Sequence, residues 1–411
     1  MVNPLLDRFC RYVKIETTAV EGAEGYPSSP GQIELSRLLA DELRALGLTH
    51  VSVSEYGIVI GTIPATVETA PTIAWFAHVD TSPETTGKNV RPIVHERYDG
   101  KDIVLPGDPS KVIRVGETEG LAELKGKTLI TTDGTTLLGA DDKAGVAIIM
   151  TAADELIHGK PTKHGPIRVV FTCDEEIGRG TDKVDLAKVD SVCGYTLDGE
   201  ASGMIENETF SADLAVVTVT GKNIHPAMAK GKMTNALRIA AEFIARLPSD
   251  TLSPETTEDR EGFLHPYVIE GGVGKVTIRI LLRSFDTNEL ASHADLLRQI
   301  AKAVAAEHKD ASITVDVTQQ YRNMGRYLSK EPRAVDLAAK AMRDIGMEPQ
   351  FSSIRGGTDG SRFSEMGLPT PNLSAGMHNF HSPLEYACLE EMESAVATLV
   401  QLAKLWGAER P

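Results

Sequence analysis

A chain of 411 residues is longer than one hydrophobic core usually supports, so two domains are the starting expectation. With 41% hydrophobic and 24% charged residues it has the composition of a folded protein and not of a disordered one. A formal net charge of −16 repels polyanions and anionic lipid, which excludes nucleic acid and membrane surfaces as expected partners.

The opening stretch MVNPLLDRFCRYVKIETT sets Leu5, Leu6, Phe9 and Val13 at helical spacing among charges, which predicts an amphipathic helix and not a signal peptide. Helical periodicity follows over GQIELSRLLADELRALG, then strand-like runs at VSVSEYGIVIGTI and TIAWFAHVD. A helix at KAGVAIIMTAADELI and strands at IRVVFTCDE and VCGYTLDGE complete the pattern. This alternation predicts an α/β domain with a mixed, largely parallel sheet flanked by helices. From residue 210 the order becomes β-α-β-β-α-β, which predicts an inserted α+β sandwich of ferredoxin-like type over 210–321. The α/β domain is then discontinuous, 1–209 and 322–411. Its second part holds a helix at PRAVDLAAKAMRDIG, a Gly-rich loop, a short strand at TPNLS and a closing helix at LEEMESAVATLVQLAKLW. No apolar run approaches the roughly 18 residues that span a bilayer. Cys10, Cys173, Cys193 and Cys388 lack C-x-x-C spacing and suit a reducing cytoplasm.

Chemistry concentrates where apolar runs stop. Side chains at i and i+2 of a strand share a face, so His78 and Asp80 project together, a pairing in which a carboxylate fixes the tautomer of a metal-binding imidazole. Acidic clusters end three further apolar runs: Asp141 and Asp142, then Asp174, Glu175 and Glu176, then Asp198. Helix capping accounts for the first pair taken alone. So many carboxylates at one sheet edge raise one another's pKa unless a divalent cation compensates them. His378 and His381 in MHNFHSPLEY add imidazole, and mixed His and carboxylate ligation suits zinc, with room for two ions sharing a carboxylate. In extended backbone the neighbours Glu175 and Glu176 point opposite ways, so one can ligate while the other acts as general base.

The stretches AHVDT, GADDKAG, DEEIGRGTDKVD, YTLDGE, IRGGTDGSRFSEMGLPTPNL and HNFHSPLEY, in this order and at these separations, resemble the motifs of the co-catalytic dizinc aminopeptidases of the M20 metallopeptidase family. The resemblance covers nearly the whole chain. It implies that His78 and Asp198 hold one Zn2+, Glu176 and His381 the other, and that Asp141 bridges them, with Co2+ or Mn2+ as substitutes. It further implies that Asp80 orients His78, that Glu175 is the general base, and that a cis peptide joins Asp141 to Asp142. Residues 210–321 resemble the family's lid, which implies substrate contacts from His225, Asn235 and Arg283. The family reads His-Pro-Gly-Thr where this chain has His225-Pro226-Ala227-Met228. For Arg283 a salt bridge to Asp286 or a nearby acid is the alternative. In IRGGTDGSR, Gly356 and Gly357 free backbone N–H groups to meet substrate, with Arg355 beside them, and a helix cap by Thr358 or Asp359 is the rival reading. His378 corresponds to a position that does not coordinate, and His95, His164 and His265 stand outside any acidic motif.

The implied activity is removal of the N-terminal residue of tripeptides, giving a free amino acid and a dipeptide. Another amide hydrolase of the same family, a dipeptidase, carboxypeptidase or N-acyl amino acid deacylase, is the alternative. Short peptides are the expected partners, and lids of this family allow a homodimer.

Overall fold

In the computed structural model, which describes residues 3–410, the Asn3 side chain accepts the Leu5 and Leu6 amides and starts helix α1 (Pro4–Tyr12). Helix α2 (Pro30–Leu46) opens on proline and ends at Gly47 in the left-handed region. The antiparallel pair β1 (Thr49–Val53) and β2 (Val59–Ile63) follows, then the wholly buried β3 (Ile73–His78). A long excursion carries β4 (Ile93–His95), β5 (Ile103–Val104), β6 (Val112–Ile113) and β7 (Leu129–Thr131), each too short to show an alternation in the sequence. Next come α3 (Ala140–His158), β8 (Ile167–Thr172), α4 (Leu186–Val189), β9 (Cys193–Glu200) and β10 (Met204–Thr209).

A second unit contains β11 (Ser211–Thr220), α5 (Ala236–Ala245), β12 (Phe263–Gly272), β13 (Lys275–Ser284), α6 (Thr287–Glu307) and β14 (Ser312–Tyr321). Its sheet runs β12-β13-β11-β14 with every neighbour antiparallel. Alternate residues of β11, Ala215, Val217 and Val219, are buried on one face, where Ile239 and Phe243 of α5 and Leu290 and Leu297 of α6 cover them.

The first unit resumes through α7 (Gly325–Leu328), α8 (Arg333–Asp344), β15 (Gln350–Ile354), α9 (Asp359–Glu365), β16 (Asn372–His378), β17 (Tyr386–Cys388) and α10 (Leu389–Trp406). The units divide at Asn207/Glu208 and Gly325/Arg326, not at 209/210 and 321/322, and Ser353–Gly357 belongs with the second. The physical reason for that last assignment is local. Phe210 donates its N–H to the Ile354 carbonyl, and the Arg355 guanidinium binds residues 257–261.

The large sheet of the first unit runs β1-β2-β8-β3-β9-β16-β17-β7-β4, with β10 joining β16 to β15. Its centre, β8-β3-β9-β16, is parallel, and both margins are antiparallel. Trp75 and Ala77 face the core formed with α2, α3, α8 and α10, whereas Ala74 and Phe76 face the opposite side, where Phe76 meets Phe363 of α9 at 4.3 Å between ring centroids. Helix α3 lies hard against β9: a Cβ on Gly145 would fall 2.2 Å from the Leu197 carbonyl oxygen. Because β8, β3 and β9 are parallel, their carboxyl ends share one sheet edge, where sites of α/β proteins form. Among the described residues no helix is long and apolar enough to cross a membrane.

Candidate metal centre

His78 is the last residue of β3 and Asp80 follows two residues on, both buried. His78 Nδ1 lies 3.2 Å from the Asp80 carbonyl oxygen and 3.4 Å from its carboxylate, so Asp80 holds the ring from behind. The same carboxylate accepts the N–H groups of Glu175 and Glu176, each at 3.1 Å. This explains why the expected extended backbone is absent there. Two successive amides converge on one acceptor, which a strand would point apart; instead Asp174 is left-handed (φ 62°) and Glu175–Ile177 form a 3-10 turn. Asp174 in turn accepts Ser28 N–H at 2.8 Å, Ser28 Oγ–H at 2.5 Å and Gln32 Nε2–H at 2.7 Å.

Asp141 and Asp142, joined by a cis peptide, separate in role. Asp142 accepts Gly145 N–H at 3.1 Å and caps the helical part of α3, and its other oxygen accepts His78 N–H at 3.1 Å. Asp141 turns into the cluster. Its Oδ1 lies 2.9 Å from His78 Nε2 and its Oδ2 lies 3.2 Å from His381 Nε2. Asp198 Oδ1 is 3.7 Å from His78 Nε2, and Glu176 Oε2 is 2.9 Å from His381 Nε2. Two donor sets result, His78–Asp141–Asp198 and Asp141–Glu176–His381, each with its ligand atoms within 4.8 Å of one another. A tetrahedral zinc with bonds of about 2.0–2.1 Å spaces its ligands about 3.3 Å apart. The distances of 2.9 to 3.7 Å bracket that spacing. Among the described residues Glu176 Oε1 has no hydrogen-bond partner although it is buried, an atom that a cation would satisfy.

The electrostatics favour added positive charge. Burial opposes protonation of His78, yet Asp141, Asp198 and Asp80 outweigh it and hold its pKa well above the usual imidazole value. Burial likewise opposes protonation of His381, and Asp141 and Glu176 overcome it, lifting it to about 11. Burial and the Asp141 charge push Glu176 up to about 7. Asp198 is pushed well up by burial and by Asp141. Glu175 is raised chiefly by burial, with Asp359, Asp198 and Glu176 adding to it against His78. Asp141 is held low despite its burial because both imidazoles bind it.

Sequence reasoning passed over Glu385. Its Oε2 accepts Leu138 N–H at 2.6 Å and Gly139 N–H at 2.7 Å, and its Oε1 accepts Asp141 N–H at 3.1 Å. It passed over Asn372 too, whose Oδ1 accepts Asp198 N–H at 3.0 Å and Thr196 Oγ1–H at 2.8 Å. Glu385 stands inside HNFHSPLEY, and nothing in that stretch marks it apart from an ordinary carboxylate, because its partners are remote main-chain amides. His378 lies outside both donor sets, bonded to Glu391 at 2.7 Å and stacked on Tyr386. His164 is buried against the Gly165 carbonyl, and His95 bonds Thr131.

The substrate-binding candidates belong to the second unit and each has a local partner there. His225 Nδ1 accepts Ala227 N–H, and Asn235 Oδ1 accepts Leu237 N–H to cap α5. Arg283 makes no bridge to Asp286; it donates to the Asp213 and Leu282 carbonyls and lies over the Tyr321 ring. Arg355 differs from the expectation most: its Nη atoms donate to Thr257, Asp259 and Glu261, and the guanidinium lies over both Phe210 and Phe263. Those donors are spent on the loop instead of being offered to a ligand. Gly357 is required by packing, since a Cβ would fall 2.5 Å from the Tyr321 ring. Thr358 stands at the N-cap position of α9, and its N–H donates to Ser361 Oγ.

The sequence profile described as peptidase family M20/M25/M40 matches residues 125–405. Proteins named Peptidase T from Bacillus velezensis and Geobacillus thermodenitrificans are 44% and 45% identical to this chain over 407 residues, 99% of each chain. The structure of an aminopeptidase PepT from Bacillus cereus matches with a TM-score of 0.77 at 25% identity, covering 99% of this chain and 98% of that one. A tripeptidase from Staphylococcus aureus matches with a TM-score of 0.78 at 24% identity, covering 100% of both.

Proposed function

Because the chain belongs to peptidase family M20/M25/M40, we propose that it is a metal-dependent aminopeptidase that frees the N-terminal residue of tripeptides and leaves a dipeptide. The observation that carries this reading is the division of the Asp141 oxygens between two imidazoles, which suits a carboxylate shared by two cations. His78 and Asp198 would hold one zinc, and Glu176 and His381 the other, with cobalt or manganese able to replace it. When bound, the ions would act as Lewis acids toward the scissile carbonyl and lower the pKa of water.

The rest falls to the side chains. Asp80 directs His78 Nδ1 away from the cluster and leaves Nε2 toward Asp141 and Asp198. Glu175 belongs to neither donor set but interacts electrostatically with members of both, which supports it as the base that takes a proton from attacking water and returns it to the leaving amine. His225, Asn235, Arg283, Arg355 and the Gly357 N–H remain the candidates for contacting the peptide, and residues 210–321 the candidate lid. The Peptidase T and tripeptidase names of the relatives support tripeptides as substrate. Four free cysteines suit a cytoplasmic setting, and a homodimer through the lid belongs to the same reading.

A panel of a tripeptide, its dipeptide and tetrapeptide neighbours and its N-acetylated form tests this. Rapid release of a free amino acid from the unblocked tripeptide alone is the expected result. Cleavage of the acetylated peptide instead would establish the deacylase alternative.

A further inference from the structure

We infer that Glu385 is a positioning residue for the metal centre, one whose carboxylate sets the pose of Asp141; this rests on the dizinc reading above. Three main-chain N–H groups, of Leu138, Gly139 and Asp141, converge on its two oxygens at 2.6, 2.7 and 3.1 Å. The carboxylate is 1% exposed, so these bonds replace its hydration and form in a site where charge-assisted bonds are strong. The third donor is the N–H of Asp141 itself, whose side chain spans both donor sets.

Asp141 has non-helical φ and ψ, so no helix ladder sets its direction. The segment before it has Gly139 at φ 80°, a left-handed backbone that turns successive amides toward one anionic acceptor, so that an acceptor placed there anchors the chain. Glu385 supplies that anchor and stands four residues after His381, which is itself left-handed at φ 62° and tied by its carbonyl to Thr85 Oγ1 at 2.8 Å. A single loop therefore presents one candidate ligand and fixes the backbone of another. Displacing Asp141 by a fraction of an ångström alters its distances to His78 and His381 together, so the loss of Glu385 acts on both positions.

The test uses the full-length protein with zinc as the probe. Zinc affinity is measured by competition with a chromophoric chelator for the parent and for Glu385→Gln, which keeps the shape and replaces one acceptor oxygen by a donor. Disturbing a group that orients a ligand typically weakens metal binding about 10–100-fold, and a loss of that size with an unchanged circular dichroism spectrum is expected. Glu385→Asp, which keeps the charge and shortens the reach, should fall between the two and decides the matter if the Gln variant does not fold. Parent-like zinc affinity in the folded variant, with only a lowered melting temperature, would overturn the inference and leave Glu385 a stabilising group. A parent protein that retains no zinc would instead overturn the dizinc reading, so the two failures are distinct.

Discussion

At Asp141 each oxygen faces a different imidazole, and without a cation the cluster balances its charge with protons on His78 and His381. Zinc must displace those protons, because a ligating imidazole is neutral. Between pH 7 and pH 8, below the value of about 11 for His381, binding should release protons from both imidazoles; calorimetry in two buffers of different ionisation enthalpy reads the number. As pH falls through about 7, Glu176 also takes up a proton and apparent affinity should drop more steeply. Binding without proton release would contradict the electrostatics described. Glu175→Gln should retain zinc while kcat falls about 10²–10⁴-fold, the usual contribution of a general base. The clustering of these residue types was visible in the sequence because an apolar run leads into each of His78, Asp141, Asp174 and Asp198. What separates Asp141 from Asp142 was not, since both precede a helix and only the backbone path sends one to a cap and the other to the cluster. Glu385 was illegible for a different reason: its partners are main-chain amides 244 to 247 residues away.

The elements β3, β8, β9, α3 and α10 were readable because their periodicity reports two-sided or one-sided burial, whereas the six-residue β10 went unread and β16 was seen only in part. Two- and three-residue strands such as β4 to β7 have no period to read. The Glu175–Ile177 turn was misread as strand because its shape is set by the distant Asp80 and Ser28. Two predictions belong to this scale. Gly145→Ala would press a methyl against the Leu197 carbonyl and should cost about 1–3 kcal/mol by overpacking, read from urea unfolding. Glu206 on β10 accepts from Asn372 Nδ2, and burial lifts its pKa to about 7. A carboxyl raised on folding binds more protons in the folded state, so its contribution is intact below its unfolded pKa near 4.5 and is lost as pH rises through about 7. Glu206→Gln should therefore match the parent near pH 5 and exceed it by up to about 3 kcal/mol at pH 8. A variant less stable than the parent at both pH values would refute that sign.

For the molecule as a whole, the chain forms two units, and the second carries β11, α5, β12, β13, α6 and β14 in chain order. The placement of Ser353–Gly357 with that unit was hidden, because it depends on the Arg355 bonds to a loop nearly a hundred residues earlier. Zinc that binds only the folded chain stabilises it by mass action, about 4 kcal/mol per site at a thousandfold excess over Kd, so chelation should lower the melting temperature. The most direct measurement removes metal from the protein with a chelator and adds zinc back in steps while tripeptide hydrolysis is followed. Two donor sets sharing Asp141 predict no turnover after stripping, full activity at two equivalents, and loss of both equivalents in Asp141→Asn. Hydrolysis that survives stripping, or an Asp141→Asn variant that keeps two ions and parent activity, would contradict the shared-carboxylate centre.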